Sequence, residues 1–212
     1  MSDTSPRLFR LRPLEKADLG VIAHWFQDVH DLALFDRTTR IPMNLTQIEQ
    51  SWSDVIGGAG NDHTRCWFII ENSDSDAVGM IGLEAISTVN RDAVVPVFVD
   101  KSIRRHGVAV RAVALMLDFA FRQLGLNRIT SYYRADNHSS RDLISRVGCK
   151  IEGTMRQAWF AEGQYHDMVV VGMLQQDWAE RRQALARELG PETVVRFDSS
   201  NWSWPPQHDA NG

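Results

Sequence analysis

The sequence predicts a mixed α/β (α+β) fold, a mainly antiparallel central sheet of about seven strands flanked by helices. Three observations carry that expectation. The hydrophobic period switches between two and 3.6 in the order β-α-α-β-β-β-α-β-α-β-β along the 212 residues. Three successive strand-like runs joined by short polar turns make an antiparallel meander, and a later strand-helix-strand crossover makes the sheet mixed. The third strand of the meander carries Pro96, which cannot donate to a ladder and so marks an edge or a bulge.

The elements follow in order. Arg7-Leu8-Phe9-Arg10-Leu11-Arg12 alternates basic and apolar residues and reads as a half-buried first strand closed by Pro13. Leu19, Ile22, Ala23 and Phe26 share one face of a helix over Asp18–Phe26, and Ile48, Trp52, Val55 and Ile56 share one over Thr46–Ile56. Gly57-Gly58-Ala59-Gly60-Asn61-Asp62 is a loop of breakers. The meander is Arg65–Glu71, Val78–Ser87 and Ala93–Val99, with turns at Asn72–Asp76 and about Thr88–Asp92. Gly107–Leu124 is the strongest helix, with Ala112, Leu115, Met116, Phe119 and Ala120 inward and Gly125 as its stop. Arg128–Arg134 is a strand, and Asn137 caps a helix that Gly148 ends. Cys149–Phe160 and Tyr165–Gln175 form a hairpin about Ala161-Glu162-Gly163-Gln164, and Asp177–Leu189 is a charged helix. Residues 1–189 make one domain. Residues 190–212 are expected to be a polar tail in which Pro205-Pro206 forbids regular structure.

Composition narrows the function classes. A net charge of −4 and a pI near 6.0 argue against a dedicated nucleic-acid binder, which carries a basic balance. No segment is long and apolar enough to span a bilayer, and Met1–Pro13 lacks a signal-peptide core, so the expected setting is the cytoplasm, away from membranes. Cys66 and Cys149 have no metal-ligand spacing and read as reduced thiols; the histidines show no such spacing either, so no metal is expected.

The most informative stretch is Val97-Phe98-Val99-Asp100-Lys101-Ser102-Ile103-Arg104-Arg105-His106-Gly107-Val108-Ala109. A β-branched strand stops at a charged turn from which the long helix opens directly. Unpaired amides at a helix start, the positive end of its dipole and adjacent arginines suit a phosphate or pyrophosphate. The strand edge before the turn could hold the rest of a long ligand.

With these residues in view, the chain resembles the GNAT superfamily of acetyl-CoA-dependent N-acetyltransferases over about Arg7 to Trp178, and within it the ribosomal-protein N-terminal alanine acetyltransferase branch. Arg104-x-x-Gly107-x-Ala109 is similar to the family's pyrophosphate loop. Phe119-Ala120-Phe121 with Leu124–Ile129, Asp136-Asn137-x-x-Ser140 with Val147-Gly148 and Ile151-Glu152-Gly153, and Gly163-x-Tyr165-His166-Asp167-Met168 follow in the branch's order. Cys149 stands where the branch usually has Phe, and Pro96 where many members have Gly.

The resemblance implies a sheet splayed by a bulge, with acetyl-CoA as cosubstrate in the gap. Val97, Phe98 and Val99 would offer main-chain groups to the pantetheine arm, which can pair like an added strand. Arg104 and Arg105 would face the phosphates, while amides of Arg105, His106, Gly107, Val108, Ala109 and Val110 donate to the pyrophosphate. Asn137 would contact the pantetheine arm, and Ser140 would protonate the departing thiolate. Glu152 would be the general base, with Glu84, a carboxylate amid an apolar strand, in reserve.

Two function classes fit: an N-acetyltransferase working by direct attack in a ternary complex, and a non-catalytic acetyl-CoA-binding sensor. The acceptor is expected on Trp25–Trp52, where Asp28, Asp31 and Asp36 lie among Phe35, Ile41 and Met43. An acidic and aromatic surface suits a cationic amine, either a protein N-terminus or a small molecule. A homodimer is compatible with these readings, and the tail with Trp202 and Trp204 is free in them to cover the cleft or a neighbouring subunit.

Overall fold

The structure is a computed structural model that describes residues 6–35, 41–56, 64–198 and 201–206. The expected loop Gly57–Asp62 and the acidic residue Asp36 lie outside these.

The central sheet has the strands β1 (Arg7–Pro13), β2 (Cys66–Glu71), β3 (Ala77–Ser87), β4 (Asp92–Val94), β5 (Val97–Val99), β6 (Arg128–Arg134), β7 (Lys150–Ala161), β8 (Gln164–Leu174), β9 (Thr193–Phe197) and β10 (Ser203–Trp204). Their spatial order is β10-β9-β1-β2-β3-β4-β6-β8-β7, with β5 paired to β3. Only β1 with β9 and β4 with β6 run parallel, so the sheet is mixed and mainly antiparallel as expected. The seven expected strands are all present. Ten arise because the third meander strand divides at Val95-Pro96 and because the C-terminal stretch adds two.

The helices are α1 (Leu19–Trp25), α2 (Val29–Phe35), α3 (Leu45–Ser51), α4 (Ser53–Ile56), α5 (Val108–Asp118), α6 (His138–Val147) and α7 (Gln175–Leu189). The single helix expected over Thr46–Ile56 is two, broken at Trp52, where the backbone leaves helical geometry (φ −108°, ψ 7°). The short helix α2 had no counterpart in the sequence reading. Its polar turns carry Asp28, whose carboxylate accepts from the His30 and Asp31 amides (2.9 and 3.0 Å) and so starts the helix.

Alternation along β2 and β3 divides the core. Ile70 and Ile81 face α5, whereas Ile69 and Met80 face α1 and α3 with Leu19, Ile22 and Ile48. The helix α5 is not one-sided as its pattern suggested. Every residue from Val110 to Asp118 is buried, because the sheet, β9 and β10 included, covers one side and α6 packs on another. Asp118 is tolerated there because Arg182 (2.8 and 3.0 Å) and the Trp178 indole N–H (2.8 Å) bond its carboxylate.

The expected irregular tail is corrected. Thr193-Val194-Val195 pairs parallel to β1, and Trp204 is fully buried with its ring 5.2 Å from that of Trp178. The two prolines follow β10 and do not interrupt it. Through residue 206 the tail therefore adds strands to the sheet and side chains to the core. A parallel strand whose partner lies at the other end of the chain leaves no local turn to read.

Candidate active site

The site begins where the sheet divides. β4 runs beside β6 as far as Val95, whose N–H reaches the Thr130 carbonyl (3.2 Å) and whose carbonyl accepts the Ser131 hydroxyl (3.3 Å). After Pro96 the chain turns to β3, while β6 continues along β8. The two halves of the sheet separate there, as the resemblance implied.

The hydrogen-bond phase of β5 decides which groups face the gap. Gly82 N–H donates to the Pro96 carbonyl (3.1 Å), Asp100 N–H donates to Val78 (2.9 Å), and Phe98 sits opposite Met80. Residues 96, 98 and 100 thus bond to β3, and strand alternation turns the N–H and C=O of Val97 and Val99 into the gap. Phe98 departs from its expected role: its main chain belongs to β3, and its ring packs against Trp25, Phe26 and Phe35 (centroids 5.3, 5.6 and 5.8 Å).

Below the gap, the turn before α5 has two left-handed residues, Arg105 (φ 72°) and Gly107 (φ 71°). The amides of Gly107, Val108, Ala109 and Val110 are those a helix start leaves without intrahelical acceptors, and they converge on one point with the dipole behind them. Gly107 has no Cβ for a reason beyond its φ: one would run into the Arg111 guanidinium. The turn is held from behind. Arg111 is buried and donates to the carbonyls of Gly107 (3.2 Å), Leu189 and Gly190 (3.1 Å), and Thr193 donates to the His106 carbonyl (3.3 Å). Arg105 is exposed beside the amides. Arg104 turns away: it donates to the Val99 carbonyl (2.9 Å) and to Asp31 (3.0 Å), with its guanidinium 5.8 Å from the Phe98 ring centre.

Across the gap, Asn137 caps α6 by accepting the Ser140 amide (3.0 Å), which leaves the Ser140 hydroxyl for the cavity that it lines. That cavity, about 480 Å³, runs through the split sheet. One arm is walled by Val95, Pro96, Val97, Ser131, Ser140 and Ile144; the other by Phe35, Trp52, Val55, Arg65, Trp67 and Glu84.

Glu84 and Glu152 are placed very differently. Trp67 Nε1–H donates to one Glu84 oxygen (2.6 Å), and the other has no partner among the described residues. Glu152 sits in a bulge of β7, the edge strand, with β8 and β6 between it and the gap. Arg128 donates to both of its oxygens (2.9 Å from Nη1) and holds the carboxyl below its ordinary range. A carboxylate so paired is a poor proton acceptor. Of the expected acidic acceptor surface, Asp28 and Asp31 do not stand open: Lys101 binds Asp28 (2.6 Å) and Asp31 (3.5 Å), and Arg104 also binds Asp31. His166 meets Asp136 (3.4 Å). No group of side chains among the described residues could hold a metal ion.

Sequence reasoning placed Trp52 at the end of the acceptor segment but missed Trp67 as a lining residue. One signal was available. Gly82 lies within an apolar strand because the Trp67 ring crosses it, and a Cβ there would come within 2.6 Å of that ring.

A split sheet feeding a left-handed turn and a helix start, with a cavity on both sides of the split, defines an acyl-coenzyme A-dependent transferase. The family profile described as "Acetyltransferase (GNAT) domain" matches residues 9–150, and the chain belongs to that family, the acetyl-CoA-dependent N-acetyltransferases. The putative ribosomal N-acetyltransferase YdaF of Bacillus subtilis is 30% identical over 105 residues, a match spanning 50% of this chain and 57% of that protein, under two thirds of its length. The spermidine N(1)-acetyltransferase of Escherichia coli (strain K12) is 22% identical over 190 residues, covering 85% of this chain and 93% of that one. The crystal structure of spermidine N-acetyltransferase from Vibrio cholerae in complex with CoA and spermine superposes with a TM-score of 0.72 at 21% identity, covering 81% and 98%. The last likeness is one of fold. The relatives divide between a ribosomal and a polyamine acetyltransferase, so the expected ribosomal-protein branch is not singled out.

Proposed function

We propose that this chain transfers the acetyl group of acetyl-CoA to the primary amine of a small cationic molecule, by direct attack with no covalent acyl-enzyme. The observation that carries this is the continuous cavity, which brings Ser140 and the Val97 edge together with Glu84 through the split in the sheet.

The residues fit the donor. Orphan amides at the start of α5 and the exposed Arg105 receive the diphosphate, and the main chain of Val97 and Val99 pairs with the amides of the pantetheine arm. An N–H of that edge is also the donor best placed for the oxyanion of the tetrahedral intermediate. Arg104 adds its charge to the turn but keeps its guanidinium on Asp31.

Glu84, rather than Glu152, serves as the base in this reading. It removes the ammonium proton directly or through one water, and the freed nitrogen pair forms the C–N bond. When the carbon–sulfur bond breaks, the Ser140 hydroxyl supplies a proton to the thiolate and takes up the second proton that the attached nitrogen sheds as the amide forms. Trp67 keeps one Glu84 oxygen fixed, so that the other is presented to the acceptor.

The test is acetyl-CoA-dependent thiol release across a panel of amines and peptides. Burial raises the Cys66 thiol and pushes Cys149 up to about 12, so the protein's own thiols stay slow to react and the released coenzyme dominates the signal. Release above background with small amines is expected. Background rates with every acceptor, alongside tight coenzyme binding, would instead favour the non-catalytic sensor.

A further inference from the structure

We infer that the acceptor is a primary monoamine on an apolar, aromatic body rather than a polyamine, an inference that rests on the transferase reading above. The acceptor arm of the cavity carries a charge balance suited to one ammonium and no more. Among the described residues, the cavity's charged lining is Glu84 and Arg65. Cys66 pairs with Leu83, which sets Arg65 across from Glu84 on the neighbouring strand. Arg65 is itself matched by Asp54, so among the described lining residues Glu84 is the carboxylate left for one ammonium.

The other described carboxylates near this arm are already matched. Asp28 and Asp31 are bound by Lys101 and Arg104, and Asp54 is paired with Arg65 itself. A polyamine's further charges would therefore find no unmatched carboxylate among the described lining residues, and each would give up hydration without gaining an ion pair. The remaining surface suits an aromatic ring. Trp52 and Trp67 meet edge to face, with centroids 5.1 Å apart, and Phe35, Leu34 and Val55 complete the wall. A ring stacked there sets its ethylammonium nitrogen toward Glu84, which Trp67 holds in place.

The experiment compares kcat/KM for 2-phenylethylamine, spermidine and a short peptide with a free N-terminus, using the full chain and saturating acetyl-CoA. Phenylethylamine is expected to exceed spermidine by at least about tenfold. Trp52→Ala is expected to lose about tenfold in kcat/KM for phenylethylamine through KM, and Trp52→Phe to keep most of it. Both variants are checked for coenzyme binding, which reports folding independently. Spermidine or the peptide as the better acceptor overturns the inference and leaves the transferase reading standing. No turnover with any amine overturns the transferase reading itself.

Discussion

In the proposed reading the coenzyme and the acceptor are recognised by different means. The coenzyme would meet mostly main chain: the amides at the start of α5, and the edge of β5 at Val97 and Val99. The acceptor would meet side chains drawn from four separate segments, with Phe35 on α2, Trp52 between α3 and α4, Trp67 on β2 and Glu84 on β3. Main-chain recognition demands a particular turn at a particular place, so it leaves a compact signature. Side-chain recognition demands only that distant residues converge, and convergence is a property of the fold.

The most disruptive expected change strikes the turn before α5. Gly107→Asp keeps a residue that tolerates left-handed backbone, but its Cβ meets the Arg111 guanidinium that holds the turn, so the amides shift away from the diphosphate. Coenzyme affinity should fall about a hundredfold, roughly 3 kcal/mol, as read by calorimetry. An unchanged affinity would remove the turn from the binding site.

A second change separates stability from recognition. Trp204 lies behind α5 and against Trp178, far from either ligand, and its removal opens a core cavity. Trp204→Ala is expected to cost about 3–5 kcal/mol in denaturant unfolding. A loss below about 1 kcal/mol would return residues 190–206 to the status of a dispensable tail.

A smaller effect belongs to the acceptor arm and depends on pH. Lys101 holds Asp28 down to about 2 from an ordinary 3.8. A carboxyl depressed on folding stabilises the native state above the unfolded value and loses that contribution as pH falls through the folded one. Asp28→Asn keeps a capping oxygen and removes the charge. It should be slightly less stable than the parent at neutral pH, with the difference closing between pH 3.8 and about 2. A gap that persists at pH 2 would mean the cap rather than the ion pair was lost.

Legibility in the sequence follows the same division. The meander, the crossover, the hairpin and the turn at Arg104–Ala109 were readable because each is set by residues within a few positions of one another. The helix α2 ends in the continuous apolar run Leu32-Ala33-Leu34-Phe35, which shows no helical period, and β9 pairs with a strand at the opposite end of the chain. Arg111 is buried, and nothing in its sequence neighbourhood reveals that the end of α7 arrives above it. Glu152 illustrates the limit most plainly. Its place in a motif was legible, but the strand order that puts it on the sheet edge beside Arg128 was not.

The central claim is that the proton leaves through Glu84. Comparing kcat for Glu84→Gln and Glu152→Gln at saturating acetyl-CoA, with coenzyme affinity measured in parallel, tests it most directly. Glu84→Gln is expected to lower kcat by about 10²–10⁴-fold with affinity unchanged, and Glu152→Gln to stay within about threefold of the parent. A large loss in Glu152→Gln with Glu84→Gln near the parent would contradict the account.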